Sequence, residues 1–287
     1  MLSLTTLILT FNERLHIRRC VENVLRVSEK VYVIDCHSTD GTQEICREYP
    51  NVEVVEHDWP GNQAEQFNWA LDTLNITTDW VLRIDADEYL DDCLIDRLLK
   101  ELPTVEEQYT GIKFLRTHTF LGKFIKGGTG LVPFVRLFRT GQAHSDSNIM
   151  DEQIIVENGS TLLWKETFCD DNLNDLGWWT QKHNNYSLRE AAQLLDAEYG
   201  LSDAGDMRKD KRKYAKLPLF LRAFAYFIYR YFFRLGFLEG KEGFLWCFLQ
   251  GWWYRTLVDA KIYEIKKVCG GDKEKIKEYL RERGVIF

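Results

Sequence analysis

Two rhythms of apolar and polar positions succeed one another over the first hundred residues. Leu4–Thr10 is an apolar, β-rich run, whereas Arg14–Arg26 carries Leu15, Ile17, Val21, Val24 and Leu25 at helical spacing. Val31–Asp35 predicts a second strand, Ser38–Thr42 a turn, and residues 43–48 a helix. Val52–Val55 predicts a third strand, Asn62–Leu74 a helix, and Asp79–Asp85 a fourth strand. Strands that alternate with helices build βαβ units and a largely parallel sheet. Further on, Asp91–Leu102 reads as a helix stopped by Pro103, and Gly111–Leu121 and Val132–Arg139 read as strands around a loop containing Gly122, Gly127, Gly128 and Gly130. Asp151–Val156 and Thr161–Trp164 are short β candidates, and the pattern turns helical from Trp178 onward.

The fourth strand ends in Asp85-Ala86-Asp87-Glu88. Residues two apart on an extended chain point the same way, so Asp85 and Asp87 can share one small volume. Paired carboxylates there suit a hard divalent cation that bridges phosphates, and open α/β sheets bind ligands outside the carboxyl ends of their strands. An acidic first turn of the next helix, using Asp87, Glu88, Asp91 and Asp92, is the plainer alternative. Other strand ends bring Thr10, Asn12, Glu13 and Asp35 to the same edge, and the helix after the third strand adds Gln63, Gln66 and Asn68. Each has an ordinary reading as a cap or turn residue; what carries weight is their joint order.

Charge and cysteine content narrow the setting. Residues 1–200 hold 18 Lys+Arg against 33 Asp+Glu, a net of −15, whereas residues 201–287 hold 19 against 11, a net of +8. The acidic front argues against nucleic acid as a partner, and the basic rear points to an anionic surface. Seven cysteines without a Cys-x-x-Cys motif fit a reducing cytoplasm. The N-terminal run lacks the basic stretch of a signal peptide and reads as the first core strand.

Thr10-Phe11-Asn12-Glu13, the run Val33–Thr42 and Asp85-Ala86-Asp87-Glu88 together resemble the successive signatures of family 2 glycosyltransferases. That resemblance implies the α/β fold called GT-A, a Rossmann-like, mostly parallel central sheet flanked by helices. It also implies a nucleotide-sugar donor, Mg2+ or Mn2+, and transfer with inversion at the anomeric carbon. By position Thr10, Asn12, Glu13 and Asp35 would bind the nucleoside, and Asp85 and Asp87 would hold the metal and diphosphate. The run Gly61–Leu71, Lys182–Ser187 with Glu190-Ala191, and the stretch from Leu217 to Gly243 extend the likeness to the branch that builds lipopolysaccharide core and surface polysaccharide. The first of these resembles that branch's donor-side helix. An inverting transferase needs a base for the acceptor hydroxyl, and the family places it some tens of residues after the Asp-x-Asp. Asp151-Glu152 stands there, with Glu152 preferred and Asp151 left open; Asp146 and the pair Asp170-Asp171 are substitutes. Lys182 and His183, beside Trp178-Trp179, are either diphosphate contacts or packed residues.

From Leu217 to Leu257, 15 of 41 residues are aromatic, yet no stretch offers the roughly 18 uncharged residues of a spanning helix. At about 100° per residue, Arg222, Arg230 and Arg234 fall near roughly 0°, 80° and 120°, with Tyr226 between them. Phe220, Phe224, Phe227 and Tyr231 occupy much of the rest. An Arg/Tyr face opposite an aromatic face suits the plane of a membrane surface over residues 207–257, as does the basic connector Met207–Lys213. An ordinary core helix pair or a homo-oligomer contact would use the same residues. The expected organisation is a catalytic domain over residues 1–200, with a nucleotide-sugar part at about 1–100 and an acceptor part at about 101–200. A C-terminal helical, aromatic-rich, membrane-associating appendage over 201–287 follows. The expected activity is metal-dependent transfer to a lipid-linked or lipid A-core glycan on the cytoplasmic side of the membrane. A silent membrane-docking adaptor and an aspartate-nucleophile phosphatase are the rivals; the second usually wants Thr or Val where Tyr89 stands.

Overall fold

The computed structural model describes residues 2–146, 152–201 and 213–285. Asp151 and residues 207–212 of the basic connector lie outside the described residues. The chain divides into two compact units. The first comprises residues 1–124, 131–146 and 152–173, and the second 125–130, 147–151 and 174–287.

The first unit is built on a sheet whose leading half matches the βαβ reading. Strands β1 (Leu2–Thr10), β2 (Ser28–Asp35), β3 (Val52–Glu56) and β4 (Trp80–Asp85) are parallel, in the order β3-β2-β1-β4. Between them run α1 (Ile17–Val24), α2 (Thr42–Cys46) and α3 (Gln63–Thr73). Alternation along β4 decides what each face meets. Trp80, Leu82 and Ile84 join Leu4, Ile8, Val21, Val24, Cys46 and Leu94 in one core, so α1, α2 and α4 (Asp92–Glu101) cover that face. Val81 joins Leu7, Ile34, Phe67 and Ala70 in a second core beneath α3. Arg83 and Asp85 share this α3 face by the same alternation.

Beyond β4 the sheet departs from the mostly parallel expectation. β8 (Val132–Arg139) pairs antiparallel with β4 and with β6 (Tyr109–Phe120). β6 then pairs parallel with β11 (Ser160–Asp170), and β5 (Glu88–Leu90) closes the edge antiparallel to β11. β7 (Lys123–Phe124) folds back on β6, within the glycine-rich stretch read as loop. β9 (Ala143–Ser145) and β10 (Ile154–Val156) form a separate pair. The short strand expected at Thr161–Trp164 is in fact 11 residues long. Lys165, Glu166 and Thr167 looked like its end, but Glu166 is absorbed by Arg97 and Thr167 by Asp91.

In the second unit, α5 (Leu176–Tyr199) packs against α8 (Tyr254–Cys269) through Ala191, Leu195, Val258 and Ile262. The division therefore falls after Leu173, earlier than the composition change near residue 200. Between these helices lie α6 (Leu221–Ile228), a wide turn at Tyr229–Phe233, α7 (Gly240–Trp246) and a second wide turn at Cys247–Trp253; α9 (Lys273–Arg281) closes the unit. The segment 125–130 threads against the first wide turn: Gly128 has φ +84 and donates its N–H to Arg234 O at 2.8 Å, and a Cβ there would meet Cys247 Sγ at 2.9 Å. No helix among the described residues is long and apolar enough to cross a membrane.

Two arginines of the face expected opposite the aromatic one are drawn into the second unit, as an ordinary core helix would have them. Arg222 and Arg230 are 3% and 0% exposed. Arg222 is paired with Asp259 and donates to Ala215 O, while Arg230 donates to Gly128 O and Thr129 Oγ1 and is bonded to Gln250. A guanidinium keeps its charge when buried, so these acceptors hold it where the helix pattern alone would have put it in water. Arg234 lies beyond the wide turn, off that face, and is exposed.

The start of α4 yields a stability test. Asp91 caps the helix by accepting from Leu94 N at 2.7 Å, and its other oxygen takes Thr167 N at 3.0 Å. Asp91→Ala is expected to lower stability by about 1–2 kcal/mol, measured as a shift of the urea midpoint at unchanged slope; no shift would mean that the cap is idle.

Candidate functional site

Asp35 ends β2 with no exposed surface. Its Oδ1 accepts from Ser38 N at 2.7 Å and Gln43 Nε2 at 2.6 Å, and its Oδ2 from Thr10 Oγ1 at 2.8 Å and Ser38 Oγ at 2.6 Å. Four donors fill this carboxylate, so it ties the β1 and β2 ends together and leaves no lone pair facing outward. Asn12 adopts φ 56, a left-handed conformation that Asn tolerates, and its Oδ1 accepts from Thr39 N at 2.9 Å. The Glu13 N–H donates to Thr42 Oγ1, and its carboxylate meets His16 Nδ1 at 2.6 Å. His16 Nε2 accepts from Leu173 N, which leaves the proton on Nδ1 facing Glu13. Gln63 is exposed at the start of α3, whereas Gln66 is buried and accepts from the Cys36 thiol at 3.0 Å. Two exposed rings, Phe11 and Trp59, follow β1 and β3 on this edge. A large apolar side chain left bare between polar loops was the signal available for them.

The Asp-x-Asp is reached differently from the extended-chain expectation. β4 stops at Asp85, and Ala86-Asp87 form the turn into β5. The Asp85 N–H donates to Glu88 Oε2 at 2.9 Å, which closes that turn. Asp87 Oδ2 accepts from Asn172 Nδ2 at 2.9 Å, and Asp87 O accepts from Arg19. Arg19 is also paired with Asp171, so the loop after β11 is fastened beside the turn. The helix-cap alternative holds for Asp91, which caps α4, and for Asp92 in its first turn, but not for Asp87 or Glu88, which precede the cap.

Two buried arginines, passed over in the sequence, organise the carboxylates. Arg83 Nε lies 3.9 Å from Asp85 Oδ1, and its Nη2 donates to Glu152 Oε1 at 3.1 Å. Arg136 Nη2 is bonded to Glu88 and lies 3.5 Å from Asp85 Oδ2. Their rings of support are apolar: Arg83 sits over Phe67 at 5.0 Å and Arg136 over Phe168 at 4.9 Å. Burial pushes the Glu88 carboxyl well above the usual carboxylate range; Arg136 pulls against that, and Asp85 adds to it. The signal was a single charged residue inside an otherwise apolar strand, Trp80-Val81-Leu82-Arg83-Ile84.

Glu152 is thus brought to the Asp85 end of β4. Of the substitutes, Asp146 accepts from Gln153 N, while Asp171 lies at the same turn, its N–H on Asp87 O and its carboxylate holding Arg19 and Thr119. No group of three or more His, Cys, Asp or Glu among the described residues forms a metal cage. Two half-exposed carboxylates fit a hard cation that takes its remaining oxygens from phosphate and water. Burial favours the neutral form of Glu88, which leaves three further carboxylates, those of Asp85, Asp87 and Glu152, beside the guanidiniums of Arg83 and Arg136.

Lys182 and His183 belong to the second unit. Lys182 lies over the Trp178 ring at 4.7 Å, and His183 stacks on Trp179 at 3.6 Å with Nδ1 donating to Trp179 O. Burial lowers the His183 pKa to about 4. The imidazole is neutral at pH 7, which matches the packed reading and removes it as a cationic phosphate contact.

A Rossmann-like sheet carrying an acidic turn at the end of its fourth strand defines a GT-A glycosyltransferase. Residues 5–125 match the model of glycosyl transferase family 2. It is similar to the lipopolysaccharide core biosynthesis glycosyltransferase of Rhizobium meliloti, at 27% identity over 92% of this chain and 93% of the relative. It is also similar to an uncharacterized glycosyltransferase of Rickettsia typhi, at 23% identity over 85% of this chain and 82% of the relative. Among solved structures, a mannosyltransferase from Pyrobaculum calidifontis in complex with GDP-Man and Mn2+ superposes with a TM-score of 0.51 at 15% identity, covering 91% of this chain and 87% of that one.

The His183 environment makes stability depend on pH. The unfolded chain binds a proton near pH 6.5 that the folded chain refuses until about pH 4, so stability is full above 6.5 and falls as pH drops toward 4. His183→Phe, which keeps a ring on Trp179, removes this acid-sensitive contribution of up to about 3 kcal/mol. Urea midpoints at pH 7 and pH 5 are expected to converge for the variant relative to wild type; an unchanged gap would refute it.

Proposed function

We propose that the chain transfers a sugar, with inversion, from a nucleotide-sugar donor to a hydroxyl of a lipid-linked or lipid A-core glycan at the cytoplasmic face of the membrane. UDP is the first nucleotide to test. The observation that carries this reading is the Asp85–Arg83–Glu152 chain, which sets a carboxylate beside the acidic turn. Glu152 takes the proton of the attacking hydroxyl, and Arg83 fixes the angle at which it does so. Asp85 and Asp87 would hold Mg2+ or Mn2+, whose chemistry when bound is to neutralise charge on the departing diphosphate. The metal in the mannosyltransferase structure supports this choice by analogy of fold only. Asn12, Glu13 and Gln63 border the donor on the β1–β2 edge, with Phe11 and Trp59 offering ring faces to a base; Thr10, Asp35 and Gln66 shape that edge from below. The Rhizobium meliloti relative supports lipopolysaccharide core as the acceptor class.

The test is a release-and-transfer assay on UDP-, GDP- and dTDP-sugars with Mg2+ or Mn2+ and a lipid A-core acceptor fraction. Glu152→Gln is expected to cut transfer by about 10²–10⁴-fold while nucleotide still binds. Asp87→Ala is expected to lose metal-dependent nucleotide binding as well. Full activity in Glu152→Gln with loss in Asp151→Asn would move the base to Asp151. Absence of metal-dependent nucleotide binding in the wild type would sink the transferase reading.

A further inference from the structure

The segment from residue 213 to 248 is inverted relative to an ordinary surface helix. Its arginines 222 and 230 point into the second unit, while its large apolar side chains point out. Phe233 is 75% exposed, Leu238 67%, Leu221 61% and Phe232 52%. The exposed rings are tied together from beneath rather than scattered: exposed Phe224 meets half-buried Trp252 at 5.2 Å, Trp252 meets buried Phe227 at 5.4 Å, and Phe227 meets half-buried Tyr231 at 5.5 Å. Tyr231 in turn meets Phe232 at 5.1 Å and Phe244 at 5.8 Å. A contiguous apolar surface of this kind on a water-facing protein marks a docking surface.

Charge selects the occupant. Every fully exposed charged side chain between 213 and 248 is a cation: Lys213, Lys216, Arg234 and Lys241. The acids of the segment, Glu239 and Glu242, are half-buried, and Glu239 accepts from Lys126 N and Gly127 N. A second copy of the chain docking face to face would set cations against cations. A bilayer with anionic headgroups sets them against phosphates while the rings and leucines enter the acyl boundary.

We infer that this surface is a bilayer-inserting wedge, with Phe232, Phe233 and Leu238 entering the lipid and Lys213, Lys216, Arg234 and Lys241 meeting anionic headgroups. The inference deepens the membrane-side reading above and rests on it, but it reverses the role of the helix arginines: Arg222 and Arg230 hold the fold, and the membrane is met by residues beyond them.

Flotation of the full-length protein with phosphatidylcholine vesicles, with and without phosphatidylglycerol, tests it. Wild type is expected to float with phosphatidylglycerol vesicles and at least tenfold less with phosphatidylcholine alone. Phe233→Ser/Leu238→Ser is expected to lose flotation at least tenfold while keeping its circular dichroism and its vesicle-free donor hydrolysis. Arg234→Glu/Lys241→Glu should lose only the preference for anionic lipid. A serine double variant that floats like wild type would overturn the wedge and leave membrane association standing. Wild type that floats with neither vesicle would overturn both, while intact donor hydrolysis would leave the transferase reading untouched. A wild-type dimer in sedimentation, lost in the serine variant without any vesicle binding, would assign the surface to a second copy and overturn the wedge.

Discussion

A guanidinium cannot shed its proton when it is buried, and Arg83 is 4% exposed inside the central strand of the sheet. Its charge must therefore be met by acceptors, and here they are acids: Asp85 on the same strand and Glu152 from across the chain. Arg136 repeats the arrangement with Glu88 and Asp85. Removing either arginine would leave carboxylates crowded in a low-dielectric place, a change that costs several kcal/mol when one partner of a buried pair is lost. The charge network is at once part of what holds β4, β5 and β8 in register and what brings the acidic turn and the base candidate together.

The nucleotide edge uses a similar economy with neutral donors. Asp35 spends all its acceptor capacity on Thr10, Ser38 and Gln43, so its contribution is to fix the two loops whose outer residues, Phe11, Asn12 and Thr39, face the solvent. A saturated carboxylate at a strand end is a positioning device, and the surface it positions is aromatic and amide-rich. The loop after β11 is pinned in the same manner by His16, Arg19 and Asn172. Few of these contacts are between sequence neighbours, which is why the edge holds its shape only once the parallel strands are assembled.

In the second unit the polar interior does what a hydrophobic core does elsewhere. Arg222 with Asp259, and Arg255 with Glu190, are buried pairs that join α6, α8 and α5. Tyr254 donates to Glu190 at 2.6 Å beside them. With arginines drawn inward, the aromatic side of the segment has nowhere to go but outward. The glycines at 128 and 236 let the chain pass close enough for Arg230 to reach backbone oxygens in the 125–130 segment.

Sequence by itself determined the strand and helix order of the first hundred residues, because each element there carries its own period and its own turn chemistry, from the Asn62 cap of α3 to the apolar run of β4. It also carried the likeness to family 2 glycosyltransferases, through short motifs whose residues are adjacent in the chain. What it could not fix were the properties that depend on distant partners. The 11-residue length of β11 rests on Arg97 and Asp91, the placement of Glu152 on Arg83, the saturation of Asp35 on Gln43, and the neutrality of His183 on burial against Trp179. The helical wheel of residues 222–234 gave the right faces and the wrong outside. Periodicity says which side chains share a face, and only the tertiary structure supplies Asp259 and the Gly128 and Thr129 oxygens that draw the charged face in.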